Sequence, residues 1–300
     1  MNRVLSDVSV VVPVFNKPLW QIQRAIISAL RQHTTYTREI IIFDDGSFEP
    51  DGRRVQELVE RMATQSHAGI DISFHGSPDQ QGAAVARNNA IRKARGEYVM
   101  LLDADDELHP DAIKKLREQM HAGIDLVFSD HEVVKSNGDR WVRRKASYHY
   151  FHERYWGSPY DPLIQSTYVV QCQLIRVSAF FEVGGYPDNI RVGEHAWLLC
   201  KLAYRSSPGN IAHIPGAFYR HYWYPDGTYR RNIVSHRQSV SAAFHKTAKE
   251  LGIDVSAVEF IARFKPYRVS HYRLIRKDGL SFKSPYLDYR NLIFLHNTTI

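Results

Sequence analysis

Residues 96–108, GEYVMLLDADDEL, constrain the fold of this chain more than any other stretch. Residues 98–102 form a short, nearly all-apolar run, the pattern of a strand buried on both faces of a parallel sheet. The run ends abruptly in Asp103, Asp105 and Asp106. Carboxylates this close repel one another, so leaving them unpaired is unfavourable. A divalent cation that prefers oxygen ligands, Mg2+ or Mn2+, removes that repulsion. In open α/β sheets, ligands sit just beyond the carboxyl ends of strands. The stretch therefore predicts a metal site at the mouth of a crevice, suited to a diphosphate. The plainer alternative is an acidic turn before a helix, because His109-Pro110 reads as a cap followed by proline at the first helical position.

The flanking segments build a sheet around that strand. Residues 8–12 are an apolar run closed by Pro13, Phe15 and Asn16. Leu19, Ile22, Ile26 and Leu30 recur at helical spacing, which predicts a helix over 19–32. Residues 39–43 read as a second strand, ending in Asp44-Asp45-Gly46-Ser47. A helix marked by Val55, Leu58, Val59 and Met62 follows, then alternating Ile70, Ile72 and Phe74. Ala83, Ala86, Ala90, Ile91 and Ala94 line one face of the helix that leads into Gly96. Strands alternating with helices of this length mean an α/β fold with a mixed, mainly parallel sheet flanked by helices.

Two strands thus end in acids on one sheet edge. Asp44 or Asp45 could accept from a nucleobase N–H or a ribose hydroxyl, or could simply close an Asx turn. Phe15 suits stacking on a base and equally suits a core. Arg87, on a helix otherwise lined with alanine, reads either as a ligand contact or as a solvated helix charge.

At this point the residues resemble a family. VSVVVPVFN (8–16), EIIIFDDGS (39–47), GAAVARNNAIRKARGEYVMLLDADDEL (82–108) and FFEVGGY (180–186) are similar, in order and spacing, to family 2 glycosyltransferases of the GT-A fold. The resemblance covers roughly residues 8–222 and implies a Rossmann-like nucleotide-diphospho-sugar transferase fold. It implies that Pro13 and Phe15 frame a nucleobase pocket, and that Asp44 or Asp45 contacts base or ribose. By the same resemblance Arg87 reaches base or phosphate, Asp103 lies near the ribose, and Asp105 holds Mn2+ or Mg2+ on the diphosphate. Members bind a nucleotide sugar, here by default a UDP-sugar, and usually invert the anomeric centre. Inversion needs a side-chain base on the face opposite the leaving group. Relatives usually carry Glu-Asp there, with the Asp as base; this chain has Glu194-His195. Either residue is a candidate base, since histidine works near neutral pH without a large pKa shift. His221 aligns with a third metal ligand or a phosphate contact.

The second half divides further. Residues 140–160 are rich in Trp, Tyr, His and Arg. Ser178 is a candidate cap for a short helix ending at Gly184-Gly185, and residues 211–215 and 218–222 read as the last strands. The domain expectation is 1–225 for the transferase unit, with nucleotide-sugar binding in 1–130 and the acceptor side in 131–225. Residues 226–300 form an extension, helical at first, with Asp254 capping a helix that carries Val258, Ile261 and Phe264, and then basic and aromatic.

Charge sharpens that division. Net charge is +7, and residues 226–300 hold thirteen Lys/Arg against six Asp/Glu, which accounts for all of it. Such a tail suits self-association or peripheral contact with an anionic membrane face. No recognition motif points to nucleic acid. The two cysteines form neither a disulfide framework nor a metal motif, no apolar run reaches transmembrane length, and the first strand starts too early for a signal peptide; a cytoplasmic setting is expected. Neither G-x-G-x-x-G nor a Walker loop occurs, which argues against a dehydrogenase or NTPase. The expected function is metal-dependent transfer of a sugar to a glycan or lipid-linked acceptor in surface polysaccharide synthesis. The alternative is a nucleotide-sugar-binding subunit without transferase activity.

Overall fold

The computed structural model describes residues 7–34, 36, 38–65, 69–143, 172–205, 210–224, 233–250, 255–263, 269–276 and 281–283. Tyr148, Tyr150, Tyr155 and Trp156 of the aromatic stretch lie outside these residues, as do 264–268, 277–280 and 284–300 of the basic tail.

Strand β1 (Val8–Val14) is the axis of the sheet. It pairs in parallel with β2 (Arg38–Asp45) on one side and β4 (Tyr98–Leu101) on the other, and β3 (Asp71–Ser77) extends β2. Alternate side chains of a strand point to opposite faces. Val8, Val10, Val12 and Val14 therefore join α1 (Leu19–Leu30) and α2 (Asp51–Gln65) in one cluster. Val11 joins the other, with α3 (Ala83–Lys93). A strand covered on both faces must be apolar at every position, which is why β1 reads as a continuous run.

Beyond β4 the sheet becomes mixed. Its order is β3-β2-β1-β4-β8-β6-β9-β5, with β7 (Arg140–Arg143) added to β6 (Leu126–Lys135). Strand β8 (Gln173–Arg176) runs antiparallel to both neighbours, while β9 (Ile211–Trp223) runs parallel to β6. Strand β5 (Glu107–Leu108) is a short edge strand on β9, and α4 (Ala112–Arg117) follows it on the α1 side. Helices α5 (Val177–Glu182) and α6 (Glu194–Arg205) cover the α3 side. The parallel strands β1, β2 and β4 all open on one edge, which gathers Asp44, Asp45 and Asp103 there.

Three local expectations are corrected. Ser178 does not cap α5; Arg176 holds the cap position with extended backbone, because β8 runs into the helix without a loop. Residues 211–223 are one strand with register irregularities around Ser129–Glu132 of its partner, not two strands. The segment after Asp254 is strand β10 (Val255–Arg263), not a helix. Its β-branched and aromatic residues meet β11 (Val269–Arg276) in an antiparallel ladder that continues to β12 (Ser281–Lys283), and long-range pairing overrides the weak helical spacing. The expected helix before it is present as α7 (Ile233–Glu250), joined to α6 where Trp197 Nε1 donates to Ser239 Oγ at 3.4 Å.

The turn after β2 depends on Gly46. Its φ is +71°, and an added Cβ would lie 2.5 Å from the backbone carbon of Asp79. Gly46→Ala is expected to lower stability by about 1–3 kcal/mol from the backbone conformation alone, more with the clash. Chemical denaturation should show a lower midpoint at unchanged slope.

Candidate active site

The exit of β4 sets the site. Leu102 N donates to Val11 O at 3.0 Å, Asp103 N to the Tyr219 hydroxyl at 3.1 Å, and Asp106 N closes a turn on Asp103 O at 3.0 Å. The three carboxylates leave this turn in three directions. Asp103 receives Arg87 Nη2 at 2.8 Å. Asp105 is ion-paired with Lys17, and its carbonyl accepts from Arg24. Asp106 is buried and accepts from the Tyr219 hydroxyl at 2.9 Å and Tyr222 N at 2.8 Å, with His221 Nδ1 3.1 Å away. Burial pushes the Asp106 carboxyl upward, and the neighbouring His221 pulls against it. Repulsion within the acidic run is thus relieved by three separate sets of donors, where the sequence suggested one shared cation.

Arg87 holds the second half of the site. It is 7% exposed, so the solvated-charge reading fails. Its Nη1 donates to Glu194 Oε1 at 2.6 Å while Nη2 holds Asp103. Both guanidinium ends are committed to carboxylates rather than aimed at a base or phosphate. Burial opposes the Arg87 charge, but Asp103 and Glu194 overcome it and hold the group protonated. Burial likewise opposes ionisation of Glu194, yet Arg87 and His195 bring its carboxyl below the usual range. Asp103 behaves the same way for the same reason.

His195 sits beside this cluster with its side chain about a third exposed (34%). Its Nδ1 is 3.2 Å from the Tyr186 hydroxyl, and its Nε2 is 3.9 Å from Glu194. Tyr186 is buried, and burial pushes its phenol well up. The turn that delivers it is clamped by Asn88 of α3. Asn88 Oδ1 accepts from Tyr186 N at 3.0 Å, and Nδ2 donates to Tyr186 O at 2.9 Å and to Asp188 at 2.7 Å. Gly185, at φ +64°, leaves room for this clamp; a Cβ there would meet Asn88 Oδ1 at 2.9 Å.

The β2 aspartates are occupied locally. Asp44 accepts from Ser47 N at 3.0 Å and Ser47 Oγ at 2.5 Å, closing the loop three residues on. Asp45 accepts from Gln81 N at 3.0 Å and Gly82 N at 2.8 Å, fastening the start of α3. Pro13 and Phe15 stand half-buried at the same edge. The Phe15 ring meets Phe48 edge-on at 5.8 Å, and Phe48 is 70% exposed. Asn16, at φ +46°, ties the two loops together: its N donates to Ser47 Oγ at 2.8 Å, and its Oδ1 accepts from Phe48 N at 2.9 Å.

Among the described residues, no three His, Cys, Asp or Glu side chains gather as they would around a metal ion. His221 is turned to Asp106 rather than grouped with Asp105. A cation that bridges a diphosphate needs only one or two protein carboxylates, with phosphate and water oxygens completing its shell. Asp105 fits that demand: its side chain is 22% exposed, and its present partner is an ammonium on a flexible stem.

Sequence reasoning picked out Asp103, Asp105, Glu194 and His195, and the structure brings Asp103, Glu194 and His195 around Arg87. It missed Lys17, Arg24, Asn88, Phe48, Tyr186 and Tyr219 as parts of the site. Asn88 offered one signal, an uncapped amide inside an alanine-lined helix where propensity disfavours it.

Known proteins resemble this chain in sequence and in fold. Residues 9–184 match Glycosyl transferase family 2. An uncharacterized glycosyltransferase of Rickettsia felis is 29% identical over 212 residues, covering 70% of this chain and 33% of that protein. The amylovoran biosynthesis glycosyltransferase AmsB of Erwinia amylovora is 33% identical over 107 residues, 36% of this chain and 33% of that protein. The chain thus spans about a third of the length of these relatives. Among solved structures, the mannosyltransferase PcManGT of Pyrobaculum calidifontis with GDP-Man and Mn2+ has a TM-score of 0.57 at 18% identity, covering 81% of this chain and 64% of that one. S. aureus TarS with UDP-GlcNAc has a TM-score of 0.56 at 16% identity, covering 82% and 66%. These likenesses carry the GT-A fold, and the family match over more than half the residues carries the rest: this chain belongs to glycosyl transferase family 2.

Proposed function

We propose that the chain transfers a sugar, with inversion, from a nucleoside diphosphate donor to a hydroxyl of a glycan or lipid-linked acceptor, assisted by a divalent cation. The observation that carries this reading is the Arg87 cluster, which ties Asp103, two residues before Asp105, to Glu194 and sets the partly exposed His195 beside it. The donor base is assigned to the edge near Phe15 and Phe48, whose rings offer a stacking surface. Asp44 and Asp45 shape that edge by fastening its loops. A UDP-sugar is the first donor to test. PcManGT was solved with GDP-Man and Mn2+, and TarS with UDP-GlcNAc. AmsB is named for polysaccharide biosynthesis, and a further relative, from Edwardsiella ictaluri, for an undecaprenyl-phosphate sugar transfer.

Asp105 would hold Mn2+ or Mg2+, which when bound neutralises charge building on the leaving diphosphate. The remaining work falls to side chains of this chain. Lys17 places a second positive charge beside Asp105. Arg87 keeps Asp103 ionised and in place. Glu194 makes a poor base: it is buried, locked to Arg87 at 2.6 Å, and its carboxyl lies below the usual range. A base needs a lone pair open to the acceptor and a pKa near the working pH. Histidine is the side chain whose ordinary pKa suits that task, and the His195 side chain is about a third exposed. In the tautomer whose Nδ1–H donates to the Tyr186 oxygen, Nε2 is the ring atom that would take the acceptor proton. Glu194, 3.9 Å from Nε2, then faces the imidazolium that forms.

The second reading, a nucleotide-sugar-binding subunit, is favoured by the histidine standing where relatives carry an acid. Turnover decides between the two: donor bound without transfer or hydrolysis selects the binding subunit.

Asp105→Asn is expected to abolish transfer and cation-stimulated nucleotide binding while the far-UV circular dichroism stays unchanged; full activity in that variant would refute the assignment. His195→Ala should lower kcat by about 10²–10⁴-fold with donor KM little changed. A base acts deprotonated, so kcat/KM should fall as pH drops through the imidazole pKa. In His195→Asp that acid limb should move to lower pH with part of the activity restored. An acid limb that does not move assigns the base elsewhere.

A further inference from the structure

Helix α1 turns a second stripe away from the core, and the transfer chemistry leaves it unused. A groove of about 410 Å³ lies between this stripe and the β5–β9 edge. Trp20, Arg24, Ile27 and Arg31 line one wall, and Glu107 and Arg220 belong to the other. Trp20 is 56% exposed although it is the largest apolar side chain on the helix. The Arg24 guanidinium lies 3.6 Å from the centroid of the Tyr222 ring and 5.2 Å from that of Trp20. Aromatic and guanidinium planes therefore form one continuous surface.

The charges on the two walls differ. Arg220 is neutralised, at 2.7 Å from Glu132 and 3.1 Å from Glu107. Arg24 donates to a backbone carbonyl, not to a carboxylate, and its Nε is buried with no hydrogen-bond partner among the described residues. Arg31 is exposed, and no ion pair joins it to a described carboxylate. The α1 wall thus carries two uncompensated positive charges, seven residues or about 10 Å apart along the helix.

We propose that this groove binds an acidic stretch of the saccharide acceptor, one bearing carboxylate or phosphate groups on its sugar units. Concave surfaces with an aromatic platform take the apolar face of a sugar ring, and planar guanidinium groups pair with carboxylates and phosphates. Arg24 also donates to the Asp105 carbonyl, so the groove wall is joined to the turn that carries the candidate cation-binding carboxylate. A concave, arginine-walled groove suits a flat anionic membrane less well, because such a surface cannot reach its floor. The proposal rests on the transferase reading for the identity of the occupant.

The test is calorimetry on the full chain with three probes of matched length: an oligogalacturonate, a glycerol-phosphate oligomer and a neutral cello-oligosaccharide. At least one acidic probe should bind about tenfold more tightly than the neutral one, and which of the two does so tells carboxylate from phosphate. Trp20→Ala and Arg31→Gln should each weaken that binding by about tenfold, with donor hydrolysis unchanged. Lys115→Gln, a charge change on α4 outside the groove, should leave it as it was. Equal binding of acidic and neutral probes overturns the proposal. So does wild-type affinity in both groove variants, or retention of the chain on phosphatidylglycerol vesicles through Trp20 and Arg31 in place of saccharide binding. Acidic-saccharide binding without donor hydrolysis removes the transferase reading alone; hydrolysis without acidic preference removes the groove alone.

Discussion

A single buried cation, Arg87, organises everything chemical in this molecule. It comes from the α3 side, one residue after Ala86, and spans Asp103 at the exit of β4 and Glu194 at the start of α6. One positive charge shared by two carboxylates leaves the cluster with a net negative charge. That imbalance keeps both acids attractive to further positive charge, and His195 stands next to them. Removing one partner of such a buried pair typically costs about 3–5 kcal/mol, because the remaining charge is left without compensation. The same bonds that stabilise the packing of α6 against the sheet therefore also fix where the imidazole stands.

Neighbouring residues on α3 divide the labour. Arg87 faces the acids, while Asn88 holds the Gly185-Tyr186 turn through both ends of its amide. Asp45 in turn fastens the first residues before α3. The helix is thus pinned at its start by β2 and commits two consecutive side chains to the candidate active site. Alanines and Ile91 fill the rest of its buried face, and the small side chains let it approach β1 and β2 closely.

The acidic run shows how one motif can serve several masters. Asp106 is a latch between β4 and β9, satisfied by two hydrogen-bond donors and His221. Asp103 belongs to the arginine cluster, and Asp105 pairs instead with an ammonium on a flexible stem. Crowded carboxylates in a sequence therefore report electrostatic tension without saying what resolves it.

Much of the fold was legible from pattern alone, because strands covered on both faces must be apolar throughout and helices covered on one face must repeat every three to four residues. Residues 8–12, 39–43 and 98–102 could be little else, and the acids that follow the last two had to share an edge once the strands ran parallel. Residues 255–263 show the limit: a short mixed run suits helix or strand, and only pairing with residues 269–276 decides. The site divides the same way. Residue type and spacing singled out the acidic run at Asp103 and Asp105, since crowded carboxylates advertise their chemistry, and the family resemblance pointed to Glu194 and His195. That Arg87 pairs with two acids, that Asp106 faces inward, and that Tyr186 and Asn88 set the imidazole are facts of contact between segments about one hundred residues apart in some cases. Tertiary structure alone decides them, because the partner of a polar group is chosen by what the fold brings within 3 Å of it.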